Sequence, residues 1–139
     1  MYIALYGPTS VQRIIDFLKT VYALGGATPV IIKPVGAAAQ IGVPEAHKIA
    51  YKLGKPLIVL PEITDLKELF KPPKIYYIAN HGKEVELSKE LLEAAIIIRG
   101  GEQEPSKKEL ANVELIKIKD IPAEISPIAL TGILLYMRK

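Results

Sequence analysis

The sequence predicts an α/β fold: a single domain over residues 1–139, with a six-stranded, mostly parallel sheet and helices on both faces. Two observations predict this fold. Short apolar runs that indicate strands alternate along the chain with segments that indicate helices, which is the pattern of a parallel sheet. The predicted strands are also apolar at consecutive positions, as expected where helices cover both faces of a sheet. No composition shift, repeat or low-complexity segment suggests a second domain.

Local sequence signals predict the individual strands and helices. Apolar runs bounded by glycine, proline or polar residues predict strands at 2–6, 29–32, 56–60, 74–79, 95–98 and 113–118. Capping residues and helical periodicity predict helices over 11–24, 44–53, 65–70, 88–92, 106–110 and 126–137. Within this scheme Asp65 is the expected start of the third helix, and the small-residue segment 36–40 is an expected loop.

The closing helix is the most apolar part of the chain. Ser126 followed by Pro127 predicts its start, because the serine can cap free amides and proline already has helical φ. No residue from Ile128 to Met137 is charged. A helix that is apolar all round cannot leave one side in water, and roughly ten residues are too few to cross a bilayer. We therefore expect it to be enclosed, by the rest of this chain or by a second subunit.

Composition excludes several classes of site. The formal charge of +3 permits an anionic partner without requiring one. The absence of cysteine excludes disulfides, thiolate zinc sites and thiol nucleophiles, and the two isolated histidines, His47 and His81, argue against a metal site. Without a basic leader or a long apolar span, the chain is expected to be cytoplasmic and away from membranes. Abundant Lys and Glu with few Asn and Gln are typical of a hyperthermophile.

A ligand site is expected where parallel strands end, because such sheets bind ligands outside the carboxyl ends of their strands. Three of these ends carry glycines or irregular segments: 79–82, 99–102 and 118–123. Glycine lets the backbone approach a ligand closely, although Gly100-Gly101 is also compatible with a simple turn. His81 is either a base near a ligand or a solvated loop residue, and Arg99 either binds phosphate or pairs with a carboxylate such as Glu102.

The segment from Ile125 to Tyr136 resembles the closing motif of the SpoU branch of the SPOUT RNA methyltransferases, with Ser126 at the position of the motif asparagine. Residues 96–110 resemble the second motif of that family, in which an apolar strand enters a glycine-rich loop and then a helix. Residues 5–25 resemble its first motif, with the family's arginine falling on Lys19 and its asparagine on Arg13. The resemblance covers essentially the whole chain and implies a C-terminal trefoil knot.

The resemblance also implies a function: S-adenosylmethionine-dependent methylation of rRNA or tRNA by a homodimer joined through the closing helix. Lys19 and Arg13 are the implied catalytic residues. The implied cofactor contacts, made mostly through the backbone, are Ala79, Asn80, Gly100, Gly101, Glu102, Ile118, Ile121 and Ser126. Because Lys19 lacks the planar fork of arginine, a relative that binds RNA or the cofactor without methyl transfer is an alternative. An unrelated doubly wound domain that binds a nucleotide or a protein is the third possibility.

Overall fold

The computed structural model describes residues 1–122 and 124–139 of the chain, so Ala123, in the predicted loop 118–123, lies outside the described residues. The six strands are β1 (Tyr2–Tyr6), β2 (Thr28–Ile32), β3 (Ile58–Leu60), β4 (Ile75–Val85), β5 (Ala95–Arg99) and β6 (Glu114–Ile118). The α-helices are α1 (Val11–Leu24), α2 (Val43–Leu53), α3 (Ile63–Phe70), α4 (Lys89–Glu93) and α5 (Pro127–Met137). The strands form one sheet in the order β3-β2-β1-β5-β4-β6, and every neighbouring pair is parallel. The predicted six-stranded α/β fold is therefore confirmed.

The core lies on both faces of the sheet. In β1, Ile3 and Leu5 belong to one buried cluster and Ala4 and Tyr6 to the other, as the alternation of side chains along a strand requires. The first cluster contains buried apolar residues from α1, α2, α4 and α5, and the second contains those of α3. Burial on both faces explains why the strands are apolar at consecutive positions.

Helix α5 is enclosed on one side only within this chain. Leu130, Thr131, Leu134 and Leu135 are buried, and the helix packs against α1. Its other side leaves a group of apolar side chains in solvent: Ala129, Ile133, Tyr136 and Met137. The expected full enclosure is therefore met on one face, and threading of the helix through a loop as a knot stays a prediction.

Three local predictions differ from the structure. The third helix begins at Ile63 rather than Asp65, because Glu62 is its N-cap and Asp65 is the third helical residue, whose carboxylate accepts from the Glu62 amide at 3.1 Å. Residues after Ser106 form turns rather than a helix, although the predicted reciprocal cap between Ser106 and Glu109 is present. The expected loop at 36–40 instead enters a π-helical turn over Ala38–Gly42 that leads directly into α2.

Strand β4 is longer than predicted because it contains a bulge. Both Ile78 and Lys83 face Ile116 of β6, so residues 79–82 form an insertion between two paired stretches. Gly82 lies so close to β6 that an added Cβ would be 2.5 Å from the carbonyl carbon of Ile116. Bulges of this kind redirect side chains and are frequent beside functional sites. Among the described residues, no helix has the length and apolar character needed to cross a bilayer.

Candidate functional site

A cleft of about 410 Å³ opens at the carboxyl edge of the sheet, where β4, β5 and β6 end. Its apolar walls are formed by Ile78, Ile98, Ile118, Ile121 and Leu130. Its polar lining consists of Arg13, Asn80, Arg99, Lys117, Glu104, Glu124 and Ser126. A volume of several hundred Å³ with apolar walls and a few polar groups is characteristic of small-molecule sites.

The three predicted strand ends do converge on this cleft. Seven of the ten predicted site residues line it: Arg13, Ala79, Asn80, Gly101, Ile118, Ile121 and Ser126. The bulge in β4 supplies Ala79 and Asn80, the segment after β5 supplies Gly101, and the segment after β6 supplies Ile121. The sequence predicts this convergence because parallel strands all end at the same edge.

The other three predicted residues do not line the cleft. Gly100 lies beneath it, where its amide donates to the Tyr6 carbonyl at 2.7 Å and its carbonyl accepts from Arg13 Nη1 at 2.9 Å. The side chain of Glu102 is exposed and is not among the residues that line the cleft. Lys19 is exposed on α1, six residues beyond Arg13 and therefore on a different side of the helix.

Several lining residues were not predicted from the sequence: Tyr77, Glu104, Lys117 and Glu124. Of the two alternatives predicted for Arg99, the structure contains a carboxylate pair, but the partner is Glu104, with Nη1 3.5 Å from Oε1, and not Glu102, the suggested example. The segment after β5 therefore folds back so that Glu104, five residues beyond Arg99, faces it. The sequence gives no signal for this choice between two nearby glutamates.

Charges of both signs surround the cleft. Arg13, Arg99 and Lys117 provide cations, while Glu104 and Glu124 provide carboxylates. Tyr77 is 1% exposed, and burial, followed by the nearby Glu104 carboxylate, raises the pKa of its hydroxyl to about 12. The Tyr77 hydroxyl is therefore neutral near pH 7 and remains able to donate a hydrogen bond.

The start of α5 forms part of the cleft wall. Ser126 Oγ accepts from the amide of Ala129 at 3.1 Å, so the predicted cap is present. Ser126 and Pro127 both line the cleft, which places the positive end of the helix dipole beside it. The capping residue thus links the fold of the closing helix to the shape of the site.

The carboxylates that line the cleft are Glu104 and Glu124. Among the described residues, no group of three or more His, Cys, Asp or Glu side chains is arranged to hold one. Divalent metal ions such as Mg²⁺ in nucleic-acid enzymes are usually held by carboxylates together with the substrate phosphate. Glu104 is already paired with Arg99, which leaves its charge partly compensated.

Sequence comparison places the chain in a family. A model of the family described as RecB-family nuclease (DUF2122) matches residues 36–137, and the chain belongs to this family. It is 36% identical over 137 residues to "Putative type II restriction enzyme ApeKORF2002P" of Aeropyrum pernix, covering 95% of this chain and 88% of that protein. It is also 36% identical over 80 residues to "Putative type II restriction enzyme MjaORF1200P" of Methanocaldococcus jannaschii, covering 58% and 55% of the two chains.

Comparison with solved structures finds a fold similar to that of RNA methyltransferases. A structure solved for the 2-OH methylation of C/U34 on tRNA superposes with a TM-score of 0.68 at 17% identity, covering 99% of this chain and 92% of that one. The SpoU methyltransferase AviRb of Streptomyces viridochromogenes, in complex with S-adenosylmethionine, gives a TM-score of 0.65 at 12% identity, covering 99% and 58%. At such identities these similarities show the fold alone.

These comparisons correct the functional prediction. The SPOUT-like fold expected from the three motifs is confirmed, but the predicted activity class, an S-adenosylmethionine-dependent RNA methyltransferase or a degenerate relative of one, is wrong. The family and the 36% identical relatives point instead to a nuclease of the restriction type. The catalytic roles predicted for Lys19 and Arg13 were roles in methyl transfer; Arg13 lines the cleft, whereas Lys19 lies outside it.

Proposed function

We propose that this protein binds nucleic acid at the cleft and that its activity is cleavage of the phosphodiester backbone. The observation that carries the proposal is membership of a nuclease family together with a cleft edged by three cations, Arg13, Arg99 and Lys117. Cationic side chains around a cleft attract the phosphate backbone and release its counterions. Both named relatives are described as restriction enzymes, which act on DNA, and this supports testing DNA first.

Glu124 is the carboxylate best placed to assist cleavage. It lines the cleft, as Lys117 does, and precedes α5 by three residues. A carboxylate beside bound phosphate can accept a proton from a water that attacks phosphorus, which is general-base catalysis. The P–O bond to the leaving sugar oxygen breaks in the same reaction, and solvent water protonates that oxygen. Glu124 acts here as a base towards water, and no step of this proposal passes through a metal ion. Glu124→Gln is expected to abolish cleavage while leaving nucleic-acid binding within about twofold, since the amide keeps the shape but cannot take the proton.

Binding is tested by fluorescence anisotropy with labelled single- and double-stranded DNA and RNA at two salt concentrations. Lys117→Ala should weaken binding about fivefold and reduce the salt dependence by about one counterion, as expected for one lost phosphate contact. Lys48→Ala, an exposed lysine on α2 outside the cleft, is the matched control and should bind normally. Equal losses in both variants would contradict the placement of nucleic acid at the cleft.

Cleavage is tested on supercoiled plasmid and on labelled RNA, with Mg²⁺, with Mn²⁺ and with a chelator. Product in at least one of these mixtures, absent with Glu124→Gln, is the expected result. Absence of product in all of them, with tight binding, would contradict the nuclease activity and leave the binding proposal standing.

We also propose that the cleft accepts S-adenosylmethionine as a ligand. The support is the fold shared with an S-adenosylmethionine complex and the apolar walls that an adenine ring would contact, among them Ile98, Ile118 and Leu130. The amino-acid end of the ligand carries both charges and would face Arg13 and Glu124. S-adenosylmethionine carries an activated methyl group, but we propose its binding and not its transfer. Titration of S-adenosylmethionine into the wild-type protein should release or absorb heat of binding, whereas guanosine should give none. The absence of binding heat for S-adenosylmethionine would contradict this proposal.

We propose, finally, that the chain is a homodimer joined through α5. The exposed apolar side chains of this helix, Ile133, Tyr136 and Met137, are 37%, 67% and 54% exposed in a single chain. A contiguous apolar surface of this kind normally marks an interface. The cytoplasmic location expected from the sequence stays a prediction.

A further inference from the structure

The segment from Gly100 to Glu109 joins the cleft to the opposite half of the sheet edge. Its first part supplies Gly101 and Glu104 to the cleft wall. Its last residue, Glu109, reaches the ends of β1 and β2, where it contacts Tyr6 and Lys33. The segment therefore has two attachments, one at Gly100-Gly101 and one at Glu109.

The attachment at Glu109 is a partly buried hydrogen bond supported by charge. The Tyr6 hydroxyl, on a side chain 1% exposed, donates to Glu109 Oε2. Lys33 Nζ lies 3.5 Å from Oε1 of the same carboxylate, and the Ser106 amide donates to it at 3.3 Å. Hydrogen bonds to an ionised acceptor are stronger than those between neutral groups. Burial opposes ionisation of Glu109, but these donors outweigh it, so the pKa of its carboxyl lies below the usual value.

The attachment at the other end is made by backbone contacts. The Gly100 amide donates to the Tyr6 carbonyl at 2.7 Å, and a Cβ added at Gly101 would collide with the Gly7 carbonyl oxygen. Tyr6 therefore contacts both ends of the segment, with its backbone at Gly100 and with its side chain at Glu109. Between these ends the side chains of Glu102 and Gln103 are exposed.

We propose that Tyr6 and Glu109 are positioning residues of the cleft, because their hydrogen bond holds the 100–109 segment in the conformation that places Glu104 beside Arg99. Neither residue lines the cleft. Their effect on binding therefore passes through the segment that they hold. This inference rests on the proposed binding at the cleft, but the conformation of the segment can be measured without any ligand.

The first measurement is limited trypsin digestion at the exposed Lys107-Lys108 pair, under conditions where the fold is intact. Tyr6→Phe removes only the hydroxyl and should raise the rate of cleavage there about fivefold relative to cleavage at Lys52 on α2, as expected for loss of one hydrogen bond. Tyr22→Phe is the matched control, because its hydroxyl donates to the Pro56 carbonyl at 2.8 Å, outside the segment. An unchanged rate at Lys107-Lys108 in Tyr6→Phe would overturn the proposal.

The second measurement is affinity for labelled DNA and for S-adenosylmethionine at the same temperature. Tyr6→Phe should weaken binding several-fold, whereas Tyr22→Phe should not, even if both lose similar stability. Glu109→Gln should keep the segment in place and keep affinity better than Glu109→Ala, because its amide oxygen can still accept from Tyr6 although the charge paired with Lys33 is lost. If the segment opens and affinity is unchanged, the positioning role is refuted. If wild type binds neither probe, the proposed function fails while the digestion still tests the hydrogen bond.

Discussion

Gly82 shows how a single missing side chain shapes the site. It closes the bulge of β4 against β6, and a Cβ there would lie 2.5 to 2.7 Å from three backbone atoms of Ile116. Because backbone cannot rotate away, Gly82→Ala must displace one of the two strands, and we expect it to cost about 2 kcal/mol or more of unfolding free energy. Chemical denaturation measures this change.

The control for that substitution is Gly132→Ala in α5. An added Cβ at Gly132 would meet its nearest atom, Thr20 Cγ2, at 3.8 Å, which is ordinary contact. Alanine is also the better helix former by about 1 kcal/mol, so this variant should be as stable as wild type or more stable. Similar losses in both variants would show that the bulge tolerates a side chain.

Tyr77, which lines the cleft, should make the free energy of unfolding fall at alkaline pH. Its pKa is raised to about 12 from an unfolded value of 10.0, so the neutral form is favoured by folding. The resulting stabilisation is fully present below pH 10 and is lost as pH rises from 10 towards 12. Wild type should lose roughly 2 kcal/mol from this residue across that range, and Tyr77→Phe should show a shallower decline in unfolding free energy. Tyr136→Phe, at an exposed site, should follow wild type; a wild-type slope in Tyr77→Phe would contradict this account.

At the scale of the element, α5 depends on its cap. Ser126→Ala removes the acceptor for the Ala129 amide and should lower the unfolding free energy by about 1 kcal/mol. Ser10→Ala removes the equivalent cap of α1, whose Oγ accepts from the Arg13 amide at 3.1 Å, and should cost a similar amount. Only Ser126 lines the cleft, so only its variant should also weaken S-adenosylmethionine binding in calorimetry. If both variants bind S-adenosylmethionine with equal affinity, Ser126 caps the helix without contributing to the binding site.

The elements themselves could be predicted because their signals are local. Apolar runs located all six strands, and Ser10, Ser88 and Ser126 each cap the helix expected after them. The bulge of β4 could not be predicted, since its cause is the contact between Gly82 and a strand more than thirty residues later. The pairing of Arg99 with Glu104 likewise depends on how the chain turns after β5.

At the scale of the whole molecule, the residues that predicted the fold are not the residues that were expected to carry the activity. The resemblance to SPOUT methyltransferases rested on an apolar closing helix and glycine-bearing strand ends, which are positions that build a fold. The positions expected to carry the chemistry departed from the family, with Lys19 exposed and outside the cleft. Common folds host many activities, so a correct fold prediction gave no warrant for the activity. Homology over 95% of the chain is the stronger guide to activity, and it points to nucleases.

The proposed homodimer would bury the exposed side of α5. Ile133 lies within the apolar surface and is 37% exposed, so a second copy would bury it. Ile133→Glu would place a charge with no partner in such an interface, and burying an unpaired charge costs several kcal/mol. Wild type should sediment as a dimer at micromolar concentration, and Ile133→Glu as a folded monomer. Tyr51→Glu, at an 88% exposed position on α2, should remain dimeric, so a monomeric wild type or a dimeric Ile133→Glu would remove α5 from the interface.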